Sequence, residues 1–308
     1  MRVLFVSSGT SRYGISPIVK NQGESLKRIG IDVDYFTIKQ KGIKGYLKAA
    51  KELKRVLIKE RYDVIHAHYW LSGIVATLAG AKPIVVSLMG DDVKASLIFR
   101  FIIRVFYKIS WSKIIVKSKD MYETLNIKDA YIVSNGVNFD RFKPIDKEIA
   151  LSYTKWNPNK RHILFTSDPD RRVKNFKLAK EAFEYLNDSS LELHYMRHID
   201  NSLVPYYYNS ADVVILTSLW EGSPNAIKEA MACNIPIVSV DVGDVRDIIS
   251  NTKGCFIASN RVDDFANKIK LALTFNKRTT GREDIKDLRE DEVAKKIVSI
   301  YEDSIKDR

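Results

Sequence analysis

Asp212-Val-Val-Ile-Leu-Thr217-Ser218-Leu-Trp220-Glu221-Gly222-Ser223-Pro224-Asn225-Ala226-Ile227-Lys228-Glu229-Ala230 holds a strand, a loop and a helix start in one short stretch. The apolar run Val213–Leu216 reads as a buried strand. Ser223 is expected as the N-cap of the following helix, with Pro224 at its first position. The amides of Asn225, Ala226 and Ile227 would then lack partners inside the helix and face an anion at the positive end of its dipole. Glu221 precedes the helix, and Glu229 lies six residues past the cap, roughly 9 Å along the axis. Two carboxylates beside a phosphate-sized site repel a bare phosphate, so they suit hydroxyls on either side of it. A nucleotide-sugar has that layout: ribose diol, diphosphate, sugar hydroxyls.

This stretch resembles the donor-binding signature of the family 4 retaining glycosyltransferases of the GT-B fold, in which two glutamates flank a helix start containing Gly and Pro. The likeness continues through Cys233-Asn-Ile-Pro236-Ile-Val-Ser-Val-Asp241-Val-Gly243-Asp244, similar to the family's next strand and turn. Upstream, Ser167-Asp-Pro-Asp-Arg171-Arg172-Val-Lys174-Asn175 occupies the place of the family's Gly-Arg and Lys-Gly, whose cations hold the donor diphosphate. Lys174 with Asn175 matches the Lys-Gly pair. Arg171 and Arg172 both lie nearer the lysine than the usual arginine, and the choice between them stays open. A guanidinium grips phosphate oxygens as a fork, and an ammonium adds a point charge.

The first half carries further likenesses. Ser7-Ser8-Gly9-Thr10-Ser11-Arg12-Tyr13-Gly14 is a Gly/Ser loop after the first strand and is not a dinucleotide fingerprint. Asp63-Val-Ile-His66-Ala-His68 resembles the family's Asp-Val-Ile-His-x-His strand end. For His68, a packed side chain, a cleft role and a metal ligand are all open; no third ligand stands nearby in sequence. Ser87-Leu-Met89-Gly90-Asp91-Asp92 resembles His-Gly-x-Asp, with Met89 where the family's histidine meets the donor sugar. Asp91 or Asp92 is a candidate for the acceptor, or else caps a helix. Ser134-Asn135-Gly136-Val137 resembles the entry to the inter-domain linker.

Strands are expected at residues 2–7, 32–37, 63–67, 84–88, 113–116, 130–133, 162–166, 191–195, 212–217, 235–240 and 254–257, with helical patterns between them. That alternation argues for parallel sheets covered on both faces. The resemblance implies two Rossmann-like domains facing a central cleft. Residues 1–150 would form the acceptor side and 151–308 the donor domain, with a last helix at about 290–306 returning to the first domain.

Among the 308 residues, two cysteines without ligand spacing suggest a reducing, cytoplasmic setting, and the N-terminal apolar run is too short for a signal peptide. The net charge of +12 is uneven: residues 1–150 hold 26 Lys and Arg against 14 Asp and Glu, and the rest balance. Such asymmetry suggests an anionic partner. In the segment 96–111, Arg100, Arg104 and Lys108 form a basic stripe beside Phe99, Phe106 and Trp111. That pattern reads either as a core helix with one solvated stripe or as an interfacial helix on anionic lipid.

The resemblance therefore implies an enzyme, a metal-independent retaining glycosyltransferase of cell-surface polysaccharide or glycolipid synthesis. Glu221, Lys174 and Arg172 are the expected catalytic groups. Gly222, Ser223, Pro224, Asn225, Ala226, Glu229 and Arg171 are expected to bind the donor. Gly9, Gly14, His68, Gly90, Asp91 and Asn135 are expected to face the acceptor. A nucleotide-diphosphate sugar serves as co-substrate, so no cofactor is expected. The acceptor would be a glycan or a lipid-linked glycan, and an anionic membrane surface at the inner face of the cell membrane is an expected partner. A nucleotide-sugar 2-epimerase of the same fold and a non-catalytic nucleic-acid or anion binder are the rivals. Nucleic acid is not expected as a partner, because the basic half lacks the basic-aromatic interleaving of a nucleic-acid module.

Overall fold

The computed structural model describes residues 1–9, 14–40, 42–94 and 96–307, apart from the side chain of Asp91. The chain forms two compact units, one of Met1–Gly136 with Glu290–Arg308 and one of Val137–Arg289. All eleven expected strands are present among the described residues, most of them shifted by a residue or two at an end.

In the first unit, β1 (Arg2–Ser8), β2 (Asp32–Ile38), β3 (Val64–His68), β4 (Ile84–Ser87), β5 (Lys113–Val116) and β6 (Tyr131–Ile132) form a parallel sheet in the order β2-β1-β3-β4-β5-β6. Alternate residues of each strand point to opposite faces. Leu4, Val6, Ile65 and Val86 enter one core, and Val3, Phe5, Val64 and Val85 enter the other. The second core is completed by the C-terminal helix Glu290–Lys306, which contributes Val293, Ala294, Ile297, Ile300 and Tyr301. Every residue of β3 is buried, including two histidines. His66 meets that constraint with Ser87 Oγ at 2.8 Å on Nε2 and Tyr301 Oη at 2.5 Å on Nδ1. The terminal helix is thus tied to the centre of this sheet by a polar contact as well as by its apolar face.

The second unit holds β7 (Arg161–Phe165), β8 (Leu191–Tyr195), β9 (Val213–Leu216), β10 (Ile237–Val240) and β11 (Phe256–Ala258), parallel and ordered β11-β10-β9-β7-β8. The units divide after Gly136, earlier than the boundary at 150 read from the sequence. The reason is packing: Val137, Phe139 and Phe142 are buried in a core of the second unit. Arg282 fixes that segment by donating to the carbonyls of Phe142 at 2.7 Å and Phe139 at 3.0 Å. The helix Lys147–Thr154 is held there too, through Asn209 Oδ1 accepting from the Ile145 amide at 2.8 Å.

No helix among the described residues is long and apolar enough to cross a membrane. The helix Leu97–Ile109 departs from the reading of a core helix whose solvated side is the basic stripe. Phe99, Ile102, Ile103 and Phe106 pack inward, and Trp111 is buried beyond the helix end. Outward stand Leu97, Ile98, Phe101, Val105 and Ile109, between 38% and 74% exposed. Arg104 donates from Nε to the Leu125 carbonyl at 2.9 Å, and Arg100 reaches the Thr124 carbonyl at 3.5 Å. The solvent face is therefore apolar with basic flanks, because the arginines on the flank satisfy carbonyls of the next helix.

Tyr301→Phe removes the partner of a fully buried imidazole nitrogen. The expected cost is about 1–3 kcal/mol, read as a lowered midpoint of thermal or urea unfolding. An unchanged midpoint would show that His66 does not depend on the terminal helix.

Candidate functional site

In a doubly wound sheet, ligands gather beyond the carboxyl ends of neighbouring strands whose connections leave in opposite directions. In the second unit those strands are β7 and β9: β8 lies on one side, β10 and β11 on the other. The loop after β7 brings Lys174 and the loop after β9 brings Glu221, and the two side chains form an ion pair, each only about 15% exposed. Ser218 Oγ donates to the same Glu221 oxygen at 2.7 Å. Thr217 Oγ1 donates to the carbonyls of Lys174 at 2.9 Å and Asn175 at 3.0 Å, and the Leu219 amide donates to Val173 at 2.8 Å. These bonds sew one loop to the other. Asn175 has φ of 51°, the left-handed region that Gly, and after it Asn, adopts at low cost. That explains why asparagine can stand beside Lys174 where the resemblance expects glycine.

The helix Asn225–Ala232 begins one residue later than the sequence suggests. Pro224, not Ser223, holds the cap position, with φ −70° and ψ 116°. The Ser223 hydroxyl is committed elsewhere: it donates to Asp244 Oδ2 at 2.6 Å and accepts from Lys228 Nζ. Lys228 is fully buried, 3.5 Å from the same Asp244 oxygen. Burial lowers the lysine pKa, while Asp244 opposes that shift. Beside this cluster, Gly243 has φ of 61°, and a Cβ there would stand 2.7 Å from the Gly222 carbonyl oxygen. The turn after β10 lies directly against Glu221-Gly222, so residue 243 has to be glycine for space as well as for φ.

Glu229, partly exposed, accepts from the hydroxyl of buried Tyr208 at 2.7 Å. Burial pushes the Glu229 carboxyl pKa up, against the smaller opposing effect of that hydrogen bond. Gly222, Asn225 and Ala226 are partly exposed and Pro224 is buried. Arg171 and Arg172 are exposed and make no ion pair among the described residues. The acidic residues of their loop are satisfied by Arg197, which follows β8: its Nε reaches Asp168 at 2.9 Å and its Nη2 reaches Asp170 at 2.7 Å.

The structure thus brings together Lys174 and Glu221, and packs Gly222 against Gly243. Sequence reasoning missed Thr217, Ser218, Tyr208, Lys228 and the role of Asp244. Lys228 carried a signal, a lysine among the helix positions Ile227, Ala230 and Met231 that face the core.

The first-unit candidates are less uniform. The Gly9 amide donates to the Ile38 carbonyl at 2.9 Å, and a Cβ at Gly9 would lie 2.8 Å from Thr37 Cβ, so this position serves a tight turn. Gly14 has φ of 71°; residues 10–13 of the same loop lie outside the described residues. His68 is the last residue of β3 and 3% exposed, stacked on His66 at 4.3 Å and against Phe5 at 4.5 Å. Neither ring nitrogen has a hydrogen-bond partner, and burial drives its pKa down to about 3. The ring is thus packed against Phe5 and His66 at the end of β3. Gly90, φ 128°, opens a turn closed by Asp92, whose buried carboxylate accepts from the amides of Met89 at 3.0 Å and Gly90 at 2.9 Å. Asp92 is therefore a turn residue; the side chain of Asp91 lies outside the described residues. Asn135 is partly exposed, next to Gly136, where a Cβ would meet Glu290 Cα at 2.8 Å.

Two family models match the chain: Glycosyltransferase Family 4 over residues 12–141 and Glycosyl transferases group 1 over residues 190–287. The loop of Lys174 falls between the two matches. The UDP-Gal:alpha-D-GlcNAc-diphosphoundecaprenol alpha-1,3-galactosyltransferase of Escherichia coli is 24% identical, over 72% of this chain and 69% of that protein. The structure of sucrose-phosphate synthase from Thermosynechococcus elongatus superposes with a TM-score of 0.77 at 17% identity, covering all of both chains. Anabaena HepE in complex with UDP-glucose gives a TM-score of 0.74 at 14% identity, covering 97% of this chain and 99% of that one. With two parallel α/β units and matches in both, the chain belongs to the family 4, group 1 glycosyltransferases and has their GT-B fold.

Proposed function

We propose that this glycosyltransferase transfers a sugar, with retention, from a nucleotide-diphosphate sugar to a hydroxyl of a glycan or lipid-linked acceptor in polysaccharide or glycolipid synthesis. The observation that carries the reading is the Lys174–Glu221 pair at the switch point of the second sheet, beside the start of the helix that bears Glu229. Glu229 accepts from the ribose hydroxyls. Lys174, with Arg172 or Arg171 and the amides at the helix start, opposes the charge that grows on the leaving diphosphate, which is electrostatic catalysis by fixed donors. These cations do the neutralising work that a metal would otherwise do. Glu221 orients the sugar hydroxyls. Attack comes from the face of the departing phosphate, which takes the acceptor proton; no side-chain nucleophile is assigned. Both the Escherichia coli relative and the Anabaena structure carry a UDP-sugar in their names, which favours a donor of that class.

Glu229→Gln is expected to weaken nucleotide-diphosphate binding by about 1–3 kcal/mol, the usual scale for a hydrogen bond to a charged group. The Glu229 pKa is raised, so protonation removes the charged acceptor as pH falls through that value. Wild-type affinity should decline there, and the Glu229→Gln protein should lack that decline. Calorimetry with UDP, GDP and ADP across pH checks both points. Equal affinities for the two proteins would remove Glu229 from the donor site.

We further infer a cytoplasmic location with docking on an anionic membrane face. The support is the helix Leu97–Ile109, whose exposed side is apolar and flanked by Arg100, Arg104 and Lys108, in the half of the chain that holds the basic excess. Such a helix sinks its apolar face to the headgroup boundary while its cations meet anionic lipid. The Escherichia coli relative's name includes diphosphoundecaprenol, an acceptor carried on lipid. Ile98→Glu with Phe101→Glu should abolish sedimentation with phosphatidylglycerol vesicles and leave nucleotide affinity unchanged. Wild-type protein that ignores those vesicles at low salt would end the membrane reading.

A further inference from the structure

A second cluster of chemistry-bearing side chains stands apart from the donor groups. His162 is the second residue of β7, and Glu192 and His194 lie two apart on β8. In the parallel register His162 pairs with Glu192 and Leu164 with His194, so all three side chains leave the same face of the sheet. His162 Nδ1 lies 3.0 Å from His194 Nε2, and Glu192 Oε2 lies 3.5 Å from each of those nitrogens. Two ligands at about 2.0–2.1 Å from a tetrahedral zinc stand roughly 3.3 Å apart. The observed triangle has nearly those edges.

We propose that His162, Glu192 and His194 bind one divalent transition-metal ion of the zinc class, with a solvent molecule as fourth ligand. The donor set fits: imidazole and carboxylate are ordinary zinc ligands. The geometry leaves an outer side open, since His162 is fully buried while the Glu192 and His194 side chains keep 34% and 20% exposure. The rings are pre-oriented. Trp156 stacks on His194 at 3.7 Å and 7°, and sits 5.1 Å from the His162 ring. The ion would clip the edge strand β8 to β7 near the ends where the strands begin. Lys174 leaves the other end of β7, so the role is structural and sits apart from the proposed donor chemistry.

The test uses the full chain without an affinity tag, stripped with chelator and titrated with zinc chloride in a calorimeter. One equivalent should bind, and zinc should raise the thermal midpoint, because a ligand that binds only the folded state stabilises it. Both effects should be lost in His194→Asn and in Glu192→Gln, each with an unchanged far-ultraviolet circular dichroism spectrum. Cobalt in place of zinc should give the strong visible bands of a tetrahedral site in the wild type alone. Absence of stoichiometric zinc binding by the wild type, or wild-type binding by His194→Asn, would overturn the proposal and leave a hydrogen-bonded histidine pair.

Discussion

Both sheets are parallel and are covered by apolar side chains on both faces, and most other features follow from that constraint. A polar group buried in a central strand or in the helix face against it has no water to turn to, and its burial is costly unless it finds a protein partner or stays neutral. His66 does so with Ser87 and Tyr301, which draws the C-terminal helix into the first unit's core. Lys228 does so with Ser223 and Asp244. His68 keeps both nitrogens unpartnered and is held neutral instead. The carboxyl ends of the strands are where the chain can leave this apolar interior, and the loops that carry charge are found there.

The candidate donor site is built from charges fixed before any substrate arrives. Lys174 and Glu221 are mutually neutralised, and their loops are joined by Thr217, Ser218 and Leu219. Behind them the buried Lys228–Asp244 pair and the close approach of Gly243 to Gly222 lock the helix start. Breaking a buried pair costs more than an exposed one, because the remaining charge is left without water. In the proposed reaction the diphosphate replaces Glu221 as the partner of Lys174 and frees the glutamate for sugar hydroxyls. Charge is exchanged between preset groups, with little reorganisation.

The two units differ in how they spend charge. The second, Val137–Arg289, is nearly balanced, with 23 Lys and Arg against 21 Asp and Glu. The first holds the excess of Lys and Arg and exposes an apolar helix face beside some of them. A surface at once apolar and basic is costly in water and suited to a boundary between water and anionic headgroups.

The sequence by itself determined the eleven strands, the class of sheet and the family, because long apolar runs and turn motifs are local signals. It also offered Glu221, Glu229 and Lys174 as candidates for the donor site, from motif spacing along the chain. Only the tertiary structure decided what each of them touches. Ser223 looked like a cap until Asp244, twenty-one residues on, took its hydroxyl. The segment 137–150 looked like part of the first half until Arg282 and the apolar residues of the second core held it. The stripe at Arg100 and Arg104 looked solvated until carbonyls 21 to 24 residues away claimed both guanidinium groups. His162 and His194 carry no motif, since a parallel sheet brings them together only through a strand register spanning 32 residues. Periodicity reports which face of an element a residue occupies. Which polar partner waits on that face is set by contacts distant in sequence, and burial makes those contacts obligatory.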